Sequence, residues 1–509
     1  MTISEYLKYA ELAQAAYANL TIGTFSDVDL ESLRDAADMT TTQSQVFADN
    51  WNVIDQYDGM VEETYYDEFG DEQTFLNPTG LSVTLFEDSA GNQTDAVRGT
   101  QDASDWVTNF IDIGLLGSAE YQAQYKALSD KIELWKADGI LRSGYTVTGH
   151  SLGGFLATNL ALHFPEDVAH TYLYNSPGLF GVVAGDLWAS VANALSPGTP
   201  FTIPALSSIS NIVSIWDPAS EIGLSVAPPI TIQIESNANP IHNHSIVTLT
   251  DTLAVYNLFS QVDPSLSVDE ATAILKTSAY TADHTLESAV TALGELFVTG
   301  FTSRTGSEYD TERDHLYIDI ESINNVLGDT SGLSIEALST TDTEGNVTPF
   351  SPYDIESNAR TDIAYRYALV NLNPFAVVGA DYSSFNQNGE LDIFYPATGK
   401  GQLSTMYLVD RAEMLSFLIE KNINDGANQS IIRFEDKASG EVVLQQGLNA
   451  PQRSVVFGSE QGEELDGSKP SAEQPYIGDN FNDRLYCMGG NDTLLCGVLS
   501  VELTMSEAA

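Results

Sequence analysis

A serine stands between two glycines in the segment Gly-His-Ser-Leu-Gly at residues 149–153. A serine in this setting can act as a nucleophile when a sharp turn from a strand into a helix lifts its hydroxyl clear of the backbone. The turn is so tight that only very small residues fit two positions before and after the serine. The flanks fit, because residues 144–148 are typical of a short buried strand and residues 152–162 of a helix. Ser151 is therefore the candidate nucleophile.

A serine hydroxyl is a poor nucleophile until a base takes its proton, and the base needs a carboxylate that fixes its tautomer. Asp217 follows the strand-like segment 211–216 and precedes Pro218. We therefore expect it at the carboxyl end of a strand, where α/β enzymes place their chemistry, although an aspartate there is also a common turn residue. Asp217 is the preferred acid, and Asp251 and Glu235 are the alternatives.

Seven histidines narrow the search for the base. His150 adjoins the nucleophile, and we expect its side chain to point away from the serine and to be structural. His163 and His170 fall in the helix and strand that follow, where a structural role is also expected. His242 and His244 lie in a loop that leads into a helix-like segment. His244 is the preferred base, and His242 is the alternative.

The tetrahedral intermediate of acyl transfer needs two hydrogen-bond donors. One is the backbone N–H of the residue after the nucleophile, here Leu152, and the other comes from the loop after an earlier strand. Residues 95–109 stand in that place, with the sequence Asp-Ala-Val-Arg-Gly-Thr-Gln-Asp-Ala-Ser-Asp-Trp-Val-Thr-Asn.

Four motifs taken together resemble the class 3 (fungal-type) lipases. They are Arg-Gly-Thr at 98–100, Asp-Trp-x-x-Asn at 105–109, the Gly-His-Ser-Leu-Gly-Gly turn at 149–154 and Asn-Ser-Pro-Gly at 175–178. The resemblance covers about the first 260 residues and implies an α/β-hydrolase fold.

The same resemblance implies roles for individual residues. Thr100 would give a backbone N–H and a hydroxyl to the oxyanion, and Ser151, Asp217 and His244 would form the catalytic triad. Residues 103–121 would be a lid over the acyl site, with a buried amphipathic helix as the alternative. The chain departs from the family in one respect, since the 27 residues from Asp217 to His244 are fewer than the family usually has.

The chain of 509 residues is long enough for two or three domains. Residues 1–260 alternate strand-like and helix-like segments, which predicts a mostly parallel sheet with helices on both faces. Residues 261–450 contain helix-like pieces at 268–277, 286–297 and 411–421, which indicates a mixed, largely helical domain of unknown role.

The net charge of −52, from 20 Lys and Arg against 72 Asp and Glu, would repel phosphate backbones and excludes nucleic acid as a partner. This negative charge is compatible with bound calcium ions or with a high-salt environment, and composition does not separate the two. The N-terminal 20 residues predict an amphipathic helix and no signal peptide. No apolar run reaches the roughly 18 residues of a membrane span.

Residues 451–498 contain a short repeat. The copies 478–486 and 487–495, with an earlier one at 458–466, place Leu465, Leu485 and Leu494 in one column. This resembles the nonapeptide repeats of RTX proteins, in which carboxylates and turn carbonyls hold Ca²⁺ and the large apolar residue fills a parallel β-roll. The candidate ligands of a structural calcium ion are Glu463, Asp479, Asp483, Asn491 and Asp492.

A disordered tail rich in glycine and aspartate is the alternative. Cys487 and Cys496 stand where the repeat would have glycine. The RTX resemblance also implies an extracellular protein exported by a type I secretion apparatus, with residues 499–509 as the remnant of an uncleaved signal.

The sequence thus predicts a secreted serine carboxylic-ester hydrolase, a lipase or phospholipase A1, whose substrate is a lipid or another ester, including esters at a lipid–water interface. A polyesterase or short-chain esterase is the alternative among enzymes. A non-catalytic, calcium-dependent surface or adhesion protein is the alternative from another class.

Overall fold

The computed structural model describes residues 2–66, 72–99, 119–178, 208–223, 225–235, 239–278, 285–304, 308–309, 312–342, 346–424, 432–443, 453–459, 461–466, 484–488, 493–495 and 502–504. The chain divides into two compact units. The first contains Met1–Asn257 and Ser307–Glu321, and the second contains Leu258–Gly306 and Ser322–Ala509.

The first unit is built on a seven-stranded sheet whose spatial order is the order of the sequence. Its strands are β1 (Trp51–Tyr66), β2 (Glu72–Asp88), β3 (Gln93–Val97), β4 (Tyr145–His150), β5 (Val168–Tyr174), β6 (Ile209–Ser214) and β7 (Pro229–Ile232). The first three strands pair antiparallel, and β3 to β7 are parallel. The predicted α/β class with a mostly parallel sheet is confirmed.

Neighbouring residues of a strand point to opposite faces of a sheet, so each face has side chains to bury. Both faces of this sheet are covered by helices. They are α1 (Ile3–Ala15), α2 (Asp27–Asp35), α3 (Thr41–Asn50), α4 (Ala119–Ala137), α5 (Leu152–His163) and the short α6 (Pro240–His244), followed by α7 (Ile246–Val262). Leu85 and Val97 face a core built with α4 and α5. Phe86 and Ala96, their neighbours, face the core built with α1, α2 and α3.

The N-terminal helix was predicted from the first 20 residues and is present as α1. A capping box between Thr2 and Glu5 begins it, since each side chain bonds the backbone N–H of the other. Residues 12–16 are all buried against the sheet core, so α1 is more deeply buried than an amphipathic surface helix would be.

The second unit mixes helices with short strands. Its helices are α8 (Val268–Thr277), α9 (Thr285–Phe297), α10 (Asp314–Asn324, which begins in the first unit), α11 (Pro352–Thr361), α12 (Ile363–Asn371) and α13 (Thr405–Asn424). Its first strands are β8 (Ser334–Ala337), β9 (Ser339–Thr341), β10 (Val347–Pro349), β11 (Phe375–Val378), β12 (Ile432–Asp436) and β13 (Val442–Val443). The three helices predicted at 268–277, 286–297 and 411–421 are α8, α9 and part of α13.

Beyond residue 452, the described residues form the strands β14 (Arg453–Phe457), β15 (Glu464–Asp466), β16 (Arg484–Tyr486), β17 (Thr493–Leu495) and β18 (Glu502–Thr504). Successive strands alternate between two parallel ladders, β14-β16-β18 and β15-β17. Leu465 and Leu485 are buried in one small cluster with Val456. Phe457 and Tyr486 share a hydrophobic core with α12 and α13, so these strands and the helices before them are packed together.

Candidate active site

The atoms packed around the turn at Ser151 leave no room for larger residues on either side of the serine. Ser151 joins β4 to α5 with φ 57° and ψ −127°, a backbone conformation that costs free energy for any residue with a side chain. A Cβ on Gly149 would collide with the backbone of Gly153, and a Cβ on Gly153 would collide with the carbonyl oxygen of Val97. The predicted need for very small residues at 149 and 153 is confirmed, and Gly154 is also confined, since a Cβ there would lie 2.7 Å from the Cβ of Ser176.

The serine is buried, with 3% of its surface exposed. Within the described ranges its Oγ has no hydrogen-bond partner. Leu152 is the first residue of α5, where backbone N–H groups have no partner inside the helix and the helix dipole favours negative charge. An N–H donor for an oxyanion is therefore available beside the serine.

The segment after β3 also comes close to Ser151. A Cβ on Gly99 would lie 3.3 Å from the Cβ of Ser151 and 2.7 Å from the carbonyl oxygen of His150. Thr100, the predicted second oxyanion donor, lies outside the described residues. Of the predicted lid at 103–121, residues 103–118 also lie outside them, and 119–121 begin α4.

Asp217 lies three residues after the end of β6, at the same edge of the sheet. The preceding residue, Trp216, has φ 61° and is 73% exposed, so the chain turns sharply before the aspartate. The carboxylate is buried and accepts a 2.7 Å hydrogen bond from the backbone N–H of Ser220 and a 3.3 Å one from Ala219. Hydrogen bonds of this kind stabilise the ionised carboxylate.

His244 is the last residue of α6, and its Nδ1–H donates to Oδ1 of Asp217 over 2.7 Å. Both side chains are buried. Residues far apart in the chain are thus paired, and the pair is the one that was preferred from the sequence. The 27-residue connection between them contains the edge strand β7 and α6.

The alternative residues have other partners. His242 donates from Nε2 to the backbone carbonyl of Glu235 at 2.8 Å. Asp251 accepts a 2.7 Å hydrogen bond from the hydroxyl of Tyr317 and lies 3.7 Å from Arg313. His242 and Asp251 therefore have structural contacts of their own, whereas Asp217 is bonded to His244.

His163 and His170 are structural, as expected. Nδ1 of His163 pairs with the hydroxyl of Tyr125 at 3.0 Å, and Nε2 of His170 pairs with the hydroxyl of Ser210 at 3.1 Å.

Two residues that were not singled out as functional hold the main chain of His244. Nε2 of His150 donates to the carbonyl oxygen of His244 at 2.8 Å, and Nδ2 of Asn175 donates to the same oxygen at 3.1 Å. Asn175 also accepts from the backbone N–H of Ser214 at 2.7 Å, which connects the ends of β5 and β6. Its place in the Asn-Ser-Pro-Gly motif was the signal that could have found it.

The structure also adds a partner for His150. Its Nδ1 accepts a 2.9 Å hydrogen bond from the hydroxyl of Tyr17, which lies 133 residues earlier. Burial and the neighbouring His244 lower the pKa of His150 well below its ordinary value, so the ring is neutral. No local pattern in the sequence marks Tyr17.

Of the predicted calcium ligands, Glu463 is described. Its carboxylate accepts hydrogen bonds from the backbone N–H of Ser459 at 2.8 Å and from the Ser459 hydroxyl at 2.5 Å. The other four, Asp479, Asp483, Asn491 and Asp492, lie outside the described residues. The described part of the chain contains no group of three or more acidic, histidine or cysteine side chains that could hold an ion.

No helix within the described ranges combines the length and the apolar character that a bilayer crossing requires.

The sequence matches no family model and no curated protein. Among solved structures, the chain is similar to the Lip2 lipase of Yarrowia lipolytica, with 18% identity and a TM-score of 0.30 over 47% of this chain and 83% of that one. It is also similar to a lipase of Rhizopus microsporus var. chinensis, with 15% identity and a TM-score of 0.28 over 47% of this chain and 76% of that one. A third is the extracellular lipase LipA of Serratia marcescens, with 16% identity and a TM-score of 0.28 over 50% and 51% of the two chains. At these scores the structural likeness carries no argument about function. The function is argued from the geometry of the site.

Proposed function

We propose that the chain is a serine carboxylic-ester hydrolase in which Ser151 is the nucleophile, His244 the general base and Asp217 the acid that orients it. The observation that carries the proposal is the 2.7 Å hydrogen bond from His244 to Asp217 at the edge of the sheet where the strained turn presents Ser151. A buried His–Asp pair at the carboxyl ends of parallel strands, at the same edge of the sheet as a serine in such a turn, is the arrangement that serine-dependent acyl transfer uses.

The hydrogen bond sets the tautomer of the base. Because Nδ1 of His244 carries the proton given to Asp217, Nε2 of the neutral ring is the proton acceptor. Ser151 makes no hydrogen bond to it in the described geometry, and such bonds often tighten only when substrate binds.

The reaction has two halves. Oγ of Ser151 attacks the carbonyl carbon of the ester while Nε2 of His244 takes its proton, and Asp217 stabilises the imidazolium that results. The carbon–oxygen bond to the alcohol then breaks, and His244 returns the proton to the leaving alkoxide. In the second half His244 deprotonates a water molecule, which attacks the acyl-enzyme and releases the carboxylic acid and Ser151.

The negative oxygen of both tetrahedral intermediates would be held by the backbone N–H of Leu152 and by Thr100. Support comes from the N-terminal position of Leu152 in α5 and from the close approach of Gly99 to Ser151. Replacing Thr100 with valine removes only the hydroxyl and should lower kcat by about 10²–10³-fold with little change in KM. A change in KM alone would remove Thr100 from this role.

A lipid ester is the proposed substrate class, as a triacylglycerol or the sn-1 ester of a phospholipid. The support is the resemblance of the motifs at 98–109 and 149–178 to class 3 lipases. A short-chain esterase or polyesterase activity, and a non-catalytic surface protein, are the competing outcomes.

Initial rates on p-nitrophenyl esters of increasing chain length, on triolein emulsions and on phosphatidylcholine vesicles separate these outcomes. Ser151→Ala is the control for every substrate. Hydrolysis of the long-chain emulsions or vesicles that Ser151→Ala lacks supports a lipase or phospholipase. Activity confined to short esters would favour the esterase alternative, and no Ser151-dependent hydrolysis would refute the proposal.

We further propose that the end of the chain binds calcium and that the protein is exported by a type I apparatus. Support comes from the repeat and from strands β16, β17 and β18, which start at 484, 493 and 502, nine residues apart, and alternate between two parallel ladders. No step of catalysis depends on this ion.

Calorimetry of the intact chain with calcium and with a chelator tests the calcium proposal. Asp483→Asn with Asp492→Asn should abolish any rise in Tm that calcium gives, because each change removes the carboxylate that stands two residues before the repeated leucine. Equal Tm with and without calcium in the unchanged chain would contradict the proposal.

A further inference from the structure

We infer that Tyr17 and His150 form a positioning relay that fixes the main chain of the general base. The inference deepens the proposed function and depends on it, because the relay has a catalytic meaning only if His244 is the base. The two residues do not touch the reacting atoms in this account, so they are positioning residues.

The relay is a chain of two hydrogen bonds. The hydroxyl of Tyr17, two residues after the end of α1, bonds Nδ1 of His150 at 2.9 Å. Nε2 of His150, the last residue of β4, bonds the carbonyl oxygen of His244 at 2.8 Å. The rings of His150 and His244 lie with their centroids 4.7 Å apart.

The partners decide where the proton of His150 lies. A carbonyl oxygen can only accept, so Nε2 must carry the hydrogen, and Nδ1 of the neutral ring must then accept from the Tyr17 hydroxyl. The carbonyl of His244 therefore sets the tautomer of His150, and the Tyr17 hydroxyl stabilises that tautomer by donating to Nδ1. Without the hydroxyl, the buried Nδ1 would lose this donor, and the ring that holds the carbonyl of His244 would be less firmly oriented.

The main chain at His244 needs such support. The helix α6 that carries it has five residues, which is far too short to be stable without tertiary contacts. Its final carbonyl accepts from His150 and from Asn175, so the loss of one donor should weaken the position of the imidazole without unfolding the loop.

The Tyr17 hydroxyl also contacts the segment that follows β3. The backbone N–H of Gly99 interacts with the Tyr17 oxygen, and a Cβ on Gly99 would lie 2.6 Å from it. Gly99 precedes Thr100. One hydroxyl group thus contacts both the segment that leads to the proposed oxyanion donor and the histidine that holds the proposed base.

Three variants of the full-length protein test the relay. Tyr17→Phe removes the phenol hydrogen bond, and His150→Met removes the donor to His244. His150→Gln keeps a side-chain N–H near the position of Nε2. Tyr125→Phe is the matched control, because it removes another buried tyrosine hydroxyl, bonded to Nδ1 of His163 at 3.0 Å in the same unit.

We expect kcat to fall about 10–100-fold in Tyr17→Phe and in His150→Met, with KM changed by less than about threefold, since a base displaced by a fraction of an ångström slows chemistry more than binding. His150→Gln should recover most of kcat, and Tyr125→Phe should keep it. The downfield proton resonance of the His244 Nδ1–H in its bond to Asp217 should shift in Tyr17→Phe and stay in Tyr125→Phe.

The relay would be overturned if Tyr17→Phe kept the wild-type kcat and left the His244 resonance in place. It would also be overturned if His150→Gln were as slow as His150→Met, or if Tyr125→Phe lost as much kcat as Tyr17→Phe. If His150→Met does not fold, Tyr17→Phe and His150→Gln decide. Failure of the proposed function looks different, since the wild-type protein itself would then show no Ser151-dependent hydrolysis, and the inference would fall with it.

Discussion

The nucleophile and the general base of the proposed site are held in place by different forces. Ser151 is fixed by steric exclusion, because backbone atoms leave no room for a Cβ on Gly149 or Gly153, and the side chain of Ser176 leaves none on Gly154. His244 is fixed by hydrogen bonds, with Asp217 on its ring and with His150 and Asn175 on its carbonyl oxygen.

The difference explains why one side of the site is easy to read in a sequence and the other is not. Steric exclusion acts between residues a few positions apart and leaves a dense pattern of glycines. Hydrogen bonds join residues from distant elements, such as Tyr17 and His150, and each partner on its own is an ordinary polar residue. The two forces should also fail differently when they are disturbed, which the following variants exploit.

The largest expected effect is a loss of kcat with little change in stability. Ser151→Ala and His244→Ala should each lower kcat on an ester substrate by about 10⁶-fold while Tm changes little, because members of a catalytic triad act as a unit. The double variant should be no slower than either single one. A second loss of similar size in the double variant would show that the two residues act independently and would break the pairing.

Asp217→Asn should lower kcat by about 10⁴-fold, since an amide in place of the carboxylate favours the wrong tautomer of His244. Asp251→Asn is the matched control, because Asp251 is also buried but bonds Tyr317. It should affect Tm and leave kcat within a few-fold. The reverse result would transfer the role of the acid to Asp251.

Gly153→Ala should act on the fold, because its new Cβ meets the carbonyl oxygen of Val97, a backbone atom that cannot rotate away. We expect a loss of about 3 kcal/mol or more in the free energy of unfolding, at the upper end for overpacked sites. Gly139→Ala is the control, since φ is +71° there but nothing lies within 4 Å of the added carbon. It should cost only about 1 kcal/mol, measured by urea denaturation. A loss in Gly153→Ala no larger than that in Gly139→Ala would show that the atoms around residue 153 can give way and that steric exclusion does not hold the turn.

The smallest expected effect concerns Asp95, on the strand that ends beside Ser151. Burial raises its pKa to about 8, and within the described ranges neither carboxylate oxygen has a hydrogen-bond partner. Because the pKa is raised in the folded state, the stabilisation is complete below the unfolded pKa of about 3.9 and is lost as pH rises through about 8.

The unchanged protein should therefore lose about 2 kcal/mol of unfolding free energy between about pH 6 and pH 8, and Asp95→Asn should lose much less, since it does not ionise. Urea denaturation at a series of pH values measures both. Parallel pH dependence in the two proteins would mean that Asp95 is not the titrating group.

Much of the first unit could be predicted from local pattern. The strand-like segments at 144–148 and 211–216 overlap β4 and β6, and the glycines around Ser151 predicted the turn that is found. The antiparallel β1 and the edge strand β7 were not foreseen, because β1 is rich in polar residues and β7 is four residues long. Neither gives the short apolar run that marks a buried strand.

The site was predictable only in part for the same reason. Asp217 could be placed by its position after a strand, and His244 was preferred as the base, with His242 two residues away as the alternative. What separates them is which ring faces Asp217, and this depends on how α6 is set against the ends of β5 and β6. The hydrogen bonds from Tyr17 to His150, and from His150 and Asn175 to the carbonyl of His244, arise only when the sheet has formed.

Covalent labelling with a fluorophosphonate, followed by peptide mapping, identifies the nucleophile and the residues that activate it. If Ser151, His244 and Asp217 act together, we expect one adduct per chain on the peptide that contains Ser151, absent in Ser151→Ala, strongly slowed in His244→Ala and Asp217→Asn, and unchanged in His242→Ala. An adduct on another residue, no adduct at all, or a labelling rate that His244→Ala leaves unchanged would contradict this expectation.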